Sequence, residues 1–178
     1  MNDEEERDTS GVDQKVLSPL GRGGPWLPAV LASIGAGVML SGIFAGATGI
    51  YGDVGNITIA DMARESGREL VRLIVFSSML LGAIRYQSWR SKRMMGELSL
   101  AAIRCIAVVA LVEAVRVSQV QYGVLRFVLI GGAQYLLFAV CILSLFAMTI
   151  RETVLFTTGC TIGIAFLWVG SHLGTWIS

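Results

Sequence analysis

Glu113 is the residue in this sequence best placed to carry a proton. It lies with Arg116 in an otherwise apolar stretch, where a carboxylate is costly unless it is paired. A carboxyl group in such a place can take up and release a proton during transport. We nevertheless expect a structural ion pair, because Arg116 lies one helical turn further on and can reach Glu113. Proton or ion coupling by Glu113 is the alternative. A third possibility is that this stretch does not enter a membrane, which would leave both side chains in water.

Basic residues form a second candidate site, in a predicted loop over residues 85–93. Arg90, Lys92 and Arg93 lie in this loop, and Arg104 follows a few residues inside the next apolar stretch. Clusters of this kind attract anionic lipid headgroups. We expect the long side chain of Arg104 to extend toward the basic loop. The alternative is that Arg104 binds such a headgroup together with Arg90, Lys92 and Arg93.

The sequence contains no pattern that indicates catalysis or metal binding. His172 is the only histidine and has no carboxylate nearby, which makes a poor metal site. The three cysteines lie far apart in apolar segments and form no Cys-x-x-Cys pair. With no Ser/His/Asp set or His-Glu-x-x-His motif, we expect neither an enzyme, nor a metal, nor a cofactor. The net charge of +1 gives no reason to expect nucleic acid as a partner.

The elements that must position these residues are helices in a lipid bilayer. The chain of 178 residues is 54% hydrophobic and only 15% charged, whereas soluble domains carry about 25% charged residues. The first 22 residues and residues 85–97 hold many of the charges, and long stretches elsewhere hold none. Long uncharged runs between charged segments predict an all-α fold, a polytopic transmembrane helix bundle of about five spans with short loops.

The predicted organisation is one membrane domain, residues 25–178, after a disordered acidic tail, residues 1–24. The second and third spans are the least secure, because arginines bound or interrupt them. The charged pair Arg151-Glu152 separates the last two spans, so we predict a tight helical hairpin there. The five spans are predicted near residues 27–51, 69–86, 97–119, 124–150 and 153–177.

A polar helical segment, residues 57–69, is predicted to lead into the second span. Thr58 and Asp61 have the spacing of a capping box, in which each side chain accepts a hydrogen bond from the backbone of the other. Glu65 and Glu69 can each pair with an arginine three residues further on. Local pairs of this kind favour a helix that starts at Thr58.

Glycine spacing in the first and last spans predicts close helix packing. At about 100° per residue, four glycines in each span fall on one face. Such a face lets two backbones approach closely, which favours association in lipid. One possibility is that both faces pack within a single chain, and the other is that at least one meets another subunit. Gln134, in the fourth span, is expected to bond to a neighbouring helix. The eight glycines are Gly35, Gly42, Gly46, Gly49, Gly159, Gly163, Gly170 and Gly174.

The expected function is that of a non-enzymatic structural or accessory subunit of a membrane assembly, in a cell membrane or a virus envelope. Its partners would be the lipid bilayer and either further copies of the chain or other membrane subunits. The alternative is a small transporter or channel subunit in which Glu113 is the coupling carboxylate. The distribution of lysine and arginine places the N-terminus in the cytoplasm, or inside the virion, and the C-terminus outside.

Overall fold

The computed structural model describes residues 24–44, 58–92, 96–115, 123–146 and 148–177, with only the helical backbone in 43–44, 123–127 and 167–177. These residues form five helices and no strand, so the all-α prediction is confirmed. The helices are α1 (Trp26–Phe44), α2 (Ile59–Arg90), α3 (Leu98–Ala114), α4 (Gly123–Leu145) and α5 (Ile150–Ile177).

Helix α3 is the centre of the fold. It packs against α1, α2 and α4, whereas α5 packs mainly against α4. Small side chains such as Ala107 and Ala110 let the neighbouring helices approach α3 closely. Enclosure on three sides explains how an apolar helix can carry Arg104 and Glu113, because both can face protein rather than the surroundings of the chain. The buried residues of α3 are Leu100, Ala101, Arg104, Cys105, Ala107, Val108, Val109 and Ala110.

Helix α2 begins where the capping box predicted. The backbone N–H of Asp61 donates to Thr58 Oγ1 at 3.2 Å, and the backbone N–H of Thr58 donates to Asp61 Oδ2 at 3.3 Å. The capping box is therefore confirmed. The polar segment and the second predicted span form one continuous helix of 32 residues.

The predicted loop over residues 85–93 is wrong for its first six residues, which form the end of α2. No glycine or proline interrupts the chain there, so the helix continues to Arg90. It stops at Ser91, whose backbone N–H and hydroxyl both donate to the carbonyl oxygen of Gln87, each at 2.9 Å. Lys92 then turns the chain away with a left-handed φ of 52°.

Helices α4 and α5 form a hairpin with the short connection 146–149. The predicted boundary differs: α4 ends at Leu145, and Arg151 and Glu152 lie in the first turn of α5. The reason is a second reciprocal cap. The backbone N–H of Thr149 donates to Glu152 Oε2 at 2.9 Å, and that of Glu152 donates to Thr149 Oγ1 at 3.3 Å.

Among the described residues, one helix is long and apolar enough to cross a membrane. It is α4, where Val128–Leu145 has a mean hydropathy of 2.2. The apolar part of α1, Trp26–Gly42, is shorter. Residues 1–23 of the predicted tail, and the ends of the first and third predicted spans beyond residues 44 and 115, lie outside the described residues.

Candidate functional site

Glu113 forms an ion pair with Arg72 of α2. Arg72 Nε lies 3.9 Å from Glu113 Oε2, and Arg72 Nη1 lies 3.7 Å from Glu69 Oε1. One guanidinium thus lies between two carboxylates from two helices. Arg116 is outside the described residues, so the predicted Glu113–Arg116 pair remains a prediction.

The surroundings of this ion pair are partly shielded from solvent. The side chains of Glu69 and Glu113 are each 12% exposed, and that of Arg72 is 37% exposed. The separations exceed those of short hydrogen bonds, so the attraction is mainly Coulombic. Arg72 Cζ also lies 5.5 Å from the centre of the Phe76 ring, within the range of a cation–π contact. Of these contacts, the pair of Arg72 with Glu113 ties α2 to α3, and the other two hold Arg72 in place within α2.

The antiparallel course of α2 and α3 explains why these residues meet. At 1.5 Å per residue, Arg72 lies about 27 Å before the end of α2, and Glu113 lies about 22 Å after the start of α3. Two antiparallel helices joined by a short connection therefore bring them to similar heights. The heights of residues along two successive helices are thus a sequence signal that points from Glu113 to Arg72, whereas spacing within one helix points to Arg116.

The two ion pairs predicted along α2 are both present, with different surroundings. Glu69 pairs with Arg72 as described, and Arg68 Nη1 lies 4.0 Å from Glu65 Oε2. The side chain of Arg68 is 77% exposed, so water screens its charge and the pair contributes little. Arg72 is the only one of these two arginines that also reaches a second helix through an ion pair in the described part of the chain.

Neutral polar side chains link α4 to both of its neighbours. Gln134 Nε2 donates to the carbonyl oxygen of Val112 on α3 at 3.2 Å, which confirms the predicted bond to a neighbouring helix. The hydroxyls of Tyr135 and Thr158 lie 3.0 Å apart and join α4 to α5. Val112 precedes Glu113, so Gln134 reaches α3 beside the ion pair. We call Glu69, Arg72, Glu113 and Gln134 the polar cluster, and its contacts hold α2, α3 and α4 together.

The described lipid-contact candidates differ in exposure. Arg104 is fully buried, whereas Arg90 and Lys92 are exposed. Arg104 is buried because its helix is enclosed by α1, α2 and α4, and its extension toward the basic segment remains a prediction. Arg93 lies outside the described residues.

The glycines of α1 and α5 have different surroundings. A Cβ on Gly35 would lie 2.6 Å from the backbone carbonyl carbon of Ala110, so α1 and α3 are in close backbone contact there. Gly42 is also buried, and Gly46 and Gly49 lie outside the described residues.

On α5, Gly159 and Gly163 are exposed, and no described atom lies within 4 Å of the position that a Cβ would take. Gly170 and Gly174 lie in the part of α5 where only the backbone is described. The described glycines of α5 therefore lie on a surface that the other described helices leave open.

Comparisons with known proteins give no functional assignment. The chain has no significant match to a protein-family model, to a curated protein or to a solved structure. Its function is therefore inferred from its own residues and their geometry.

Proposed function

We propose that the chain is a multi-pass membrane protein and a non-enzymatic structural or accessory subunit of a membrane assembly. The observation that carries this proposal is the apolar outer surface of the helices. Large apolar side chains are exposed on α1, α2, α4 and α5. They include Val30, Ile34 and Val38 of α1, Leu70, Val71, Ile74 and Val75 of α2, Val128, Leu136 and Val140 of α4, and Leu155, Ile162 and Phe166 of α5.

Such a surface is unfavourable in water. Burying a large apolar side chain stabilises a soluble protein by roughly 1.5–3 kcal/mol, and this chain leaves many of them outside. Helix α4 is the clearest example of this exposure, because only 17% of its most apolar segment, Val128–Leu145, is buried. A core helix of a soluble protein would have that segment mostly covered. A lipid environment accounts for an apolar surface of this kind.

The polar side chains support a structural role. In the polar cluster, Arg72 is matched by two carboxylates, and Gln134 is matched by a backbone carbonyl. Polar groups that pair with one another hold helices together and do not require a water-filled path through the bundle. The exposed face around Gly159 and Gly163 offers a second helix a close approach. We infer that this face of α5 meets another copy of the chain or another membrane subunit.

The basic residues at the ends of helices support the proposed orientation. Arg85, Arg90 and Lys92 lie at the end of α2, and Arg151 lies at the start of α5. If successive helices cross the membrane in opposite directions, the end of α2 and the start of α5 lie on the same side of it. The excess of positive charge there indicates that this side is the cytoplasm or the virion interior. The N-terminus would share that side, and the C-terminus would lie outside.

Membrane extraction and a topology assay test this proposal. The full chain should stay with membranes in alkaline carbonate and leave them only in detergent. Fused to the C-terminus, a reporter that works only outside the cytoplasm should be active, and a reporter that works only inside the cytoplasm should be silent. A chain that carbonate releases would contradict membrane insertion, and a C-terminal reporter active in the cytoplasm would contradict the orientation.

A second candidate is a small transporter or channel subunit with Glu113 as the coupling carboxylate. The observation that favours it is the excess of carboxylates over cations among these pairs, since Glu69 and Glu113 share the one guanidinium of Arg72. Ion or proton flux through vesicles containing the purified chain would test it. Flux that Glu113→Gln abolishes and Glu65→Gln preserves would favour transport, and vesicles as tight as empty ones would exclude it.

A further inference from the structure

The end of α2 carries an exposed surface of basic and aromatic residues. Every exposed residue between positions 85 and 92 is basic or aromatic, whereas Ser88 faces the interior. Trp89 is 76% exposed and Tyr86 is 60% exposed, and their ring centres lie 6.0 Å apart. We call these exposed residues the α2 band; they are Arg85, Tyr86, Trp89, Arg90 and Lys92.

The cations of the α2 band differ in their ion pairs from the arginines earlier on the same helix. Arg85, Arg90 and Lys92 form no ion pair with a carboxylate among the described residues, in contrast to Arg68 and Arg72 earlier on the same helix. The band is therefore a concentrated positive surface. A planar guanidinium can donate two parallel hydrogen bonds to a phosphate group, so two of the three cations suit a phosphate especially well.

The α2 band also lies beside the apolar surface of the same helix. The exposed residues of the preceding turns include Ile74, Val75 and Met79. Helix α2 thus passes from an apolar outer face to an aromatic and basic one. Tryptophan and tyrosine favour the level of lipid headgroups, and long basic side chains reach from that level to phosphate groups.

We propose that the α2 band binds anionic phospholipid headgroups of the leaflet on its side of the membrane. The site would consist of Arg85, Arg90 and Lys92 around the exposed pair of aromatic rings. It excludes Arg104, which is fully buried. A lipid fits better than a soluble acidic protein, because a leaflet covers the apolar face and the charged band together. This inference rests on the proposed membrane insertion and goes beyond it by naming the ligand chemistry.

Lipid retention tests the inference on the full-length chain. The protein is supplied with an equal mixture of phosphatidylglycerol and phosphatidylcholine in neutral detergent, and the lipids retained are identified by native mass spectrometry. The wild-type chain should retain phosphatidylglycerol in several-fold excess. The triple variant Arg85→Gln/Arg90→Gln/Lys92→Gln should lose this preference, because the charges that attract the headgroup are gone.

The matched control is Arg64→Gln/Arg68→Gln, which removes exposed basic residues from the other end of α2. It should keep the preference, and Tyr86→Leu/Trp89→Leu should weaken it while leaving the charges in place. An equal loss in the control, or an unchanged preference in the triple variant, would overturn the assignment. Displacement of the lipid by millimolar inorganic phosphate would overturn it too, because the site would then hold a free anion.

The lipid-retention test and a test of membrane insertion can fail independently of each other. Flotation of the wild-type chain with vesicles of pure phosphatidylcholine measures membrane insertion alone. A chain that floats but shows no preference for phosphatidylglycerol would refute only the lipid site. A triple variant that keeps the lipid preference but loses a co-purifying acidic protein would instead identify the α2 band as a protein-docking surface, and would refute the lipid site as well.

Discussion

Helices α1 and α5 carry similar glycine spacings but meet different surroundings. At Gly35, the backbone of α1 lies directly against that of α3, with no room for a Cβ. At Gly159 and Gly163, the surface of α5 is open among the described residues. A glycine stripe therefore indicates that a backbone can approach closely, but it does not identify which backbone does so. The position of the helix in the bundle decides this, because α1 packs on the central helix and α5 lies at the edge, against α4.

The largest expected effect is that of Gly35→Ala on folding. The added Cβ would lie 2.6 Å from the carbonyl carbon of Ala110, and backbone atoms cannot move aside cheaply. We expect a loss of roughly 1–3 kcal/mol, as for overpacking elsewhere. The measurement is thermal unfolding in detergent. Gly37→Ala is the matched control, because no described atom lies within 4 Å of that site. Equal losses of stability in both variants would show that the close contact of Gly35 with α3 has no special weight, and the contrast with the open glycines of α5 would disappear.

For α5, the opposite pattern is expected. Gly163→Ile should leave the stability of the single chain nearly unchanged, because the site is open and isoleucine is a better helix former than glycine. It should instead weaken assembly, seen as a loss of cross-linked species in membranes. Gly42→Ile, at a buried glycine of α1, should lower stability, and Leu40→Ile should have little effect. Equal tolerance of all three variants would contradict the role of the glycines in packing.

Thr149→Ala should loosen the start of α5. The substitution removes the side chain that accepts from the backbone N–H of Glu152, and loss of such a cap costs about 1 kcal/mol. Hydrogen exchange of the first turn of α5 should become faster, while that of α1 stays the same. Thr161→Ala is the control, since its hydroxyl bonds to the carbonyl oxygen of Thr157 within the helix and makes no cap. Faster exchange in all helices would contradict this account, because the start of α5 would then open only together with the rest of the bundle.

The smallest expected effect is the coupling between Arg72 and Glu113. A double-mutant cycle of Arg72→Met and Glu113→Gln should give about 0.5–1 kcal/mol, because Arg72 is partly exposed and screening reduces the attraction. The same cycle on Arg68 and Glu65 should give a value near zero. A larger coupling for the exposed Arg68 pair would show that burial does not set the strength of these pairs.

Local features of the sequence predicted local structure well. The capping box at Thr58 and Asp61 and the two pairs along α2 depend only on residues within one helical turn, so spacing alone identifies them. The cap at Thr149 has the same Thr-x-x-acid pattern, but its acid belongs to the charged pair Arg151-Glu152, which by itself indicates a connection between two apolar runs. The end of α2 differs from its prediction for a related reason, since a dense basic run is typical of a loop although no residue in this run breaks the helix.

Contacts between helices were harder to predict. The partner of Glu113 is on another helix, and Arg104 is enclosed because its helix happens to be central. Periodicity gives the face on which a residue lies but not the neighbour that the face meets. The same limit applies to the glycines, whose spacing is similar in a packed helix and in an exposed one.

The most direct test is the mass of the wild-type chain in mild detergent, measured by native mass spectrometry after extraction from its membrane. A subunit of an assembly should appear as a multiple of the 19.1 kDa chain or together with other membrane subunits. A lone 19.1 kDa chain that conducts ions or protons when placed in vesicles would contradict the structural role and favour transport.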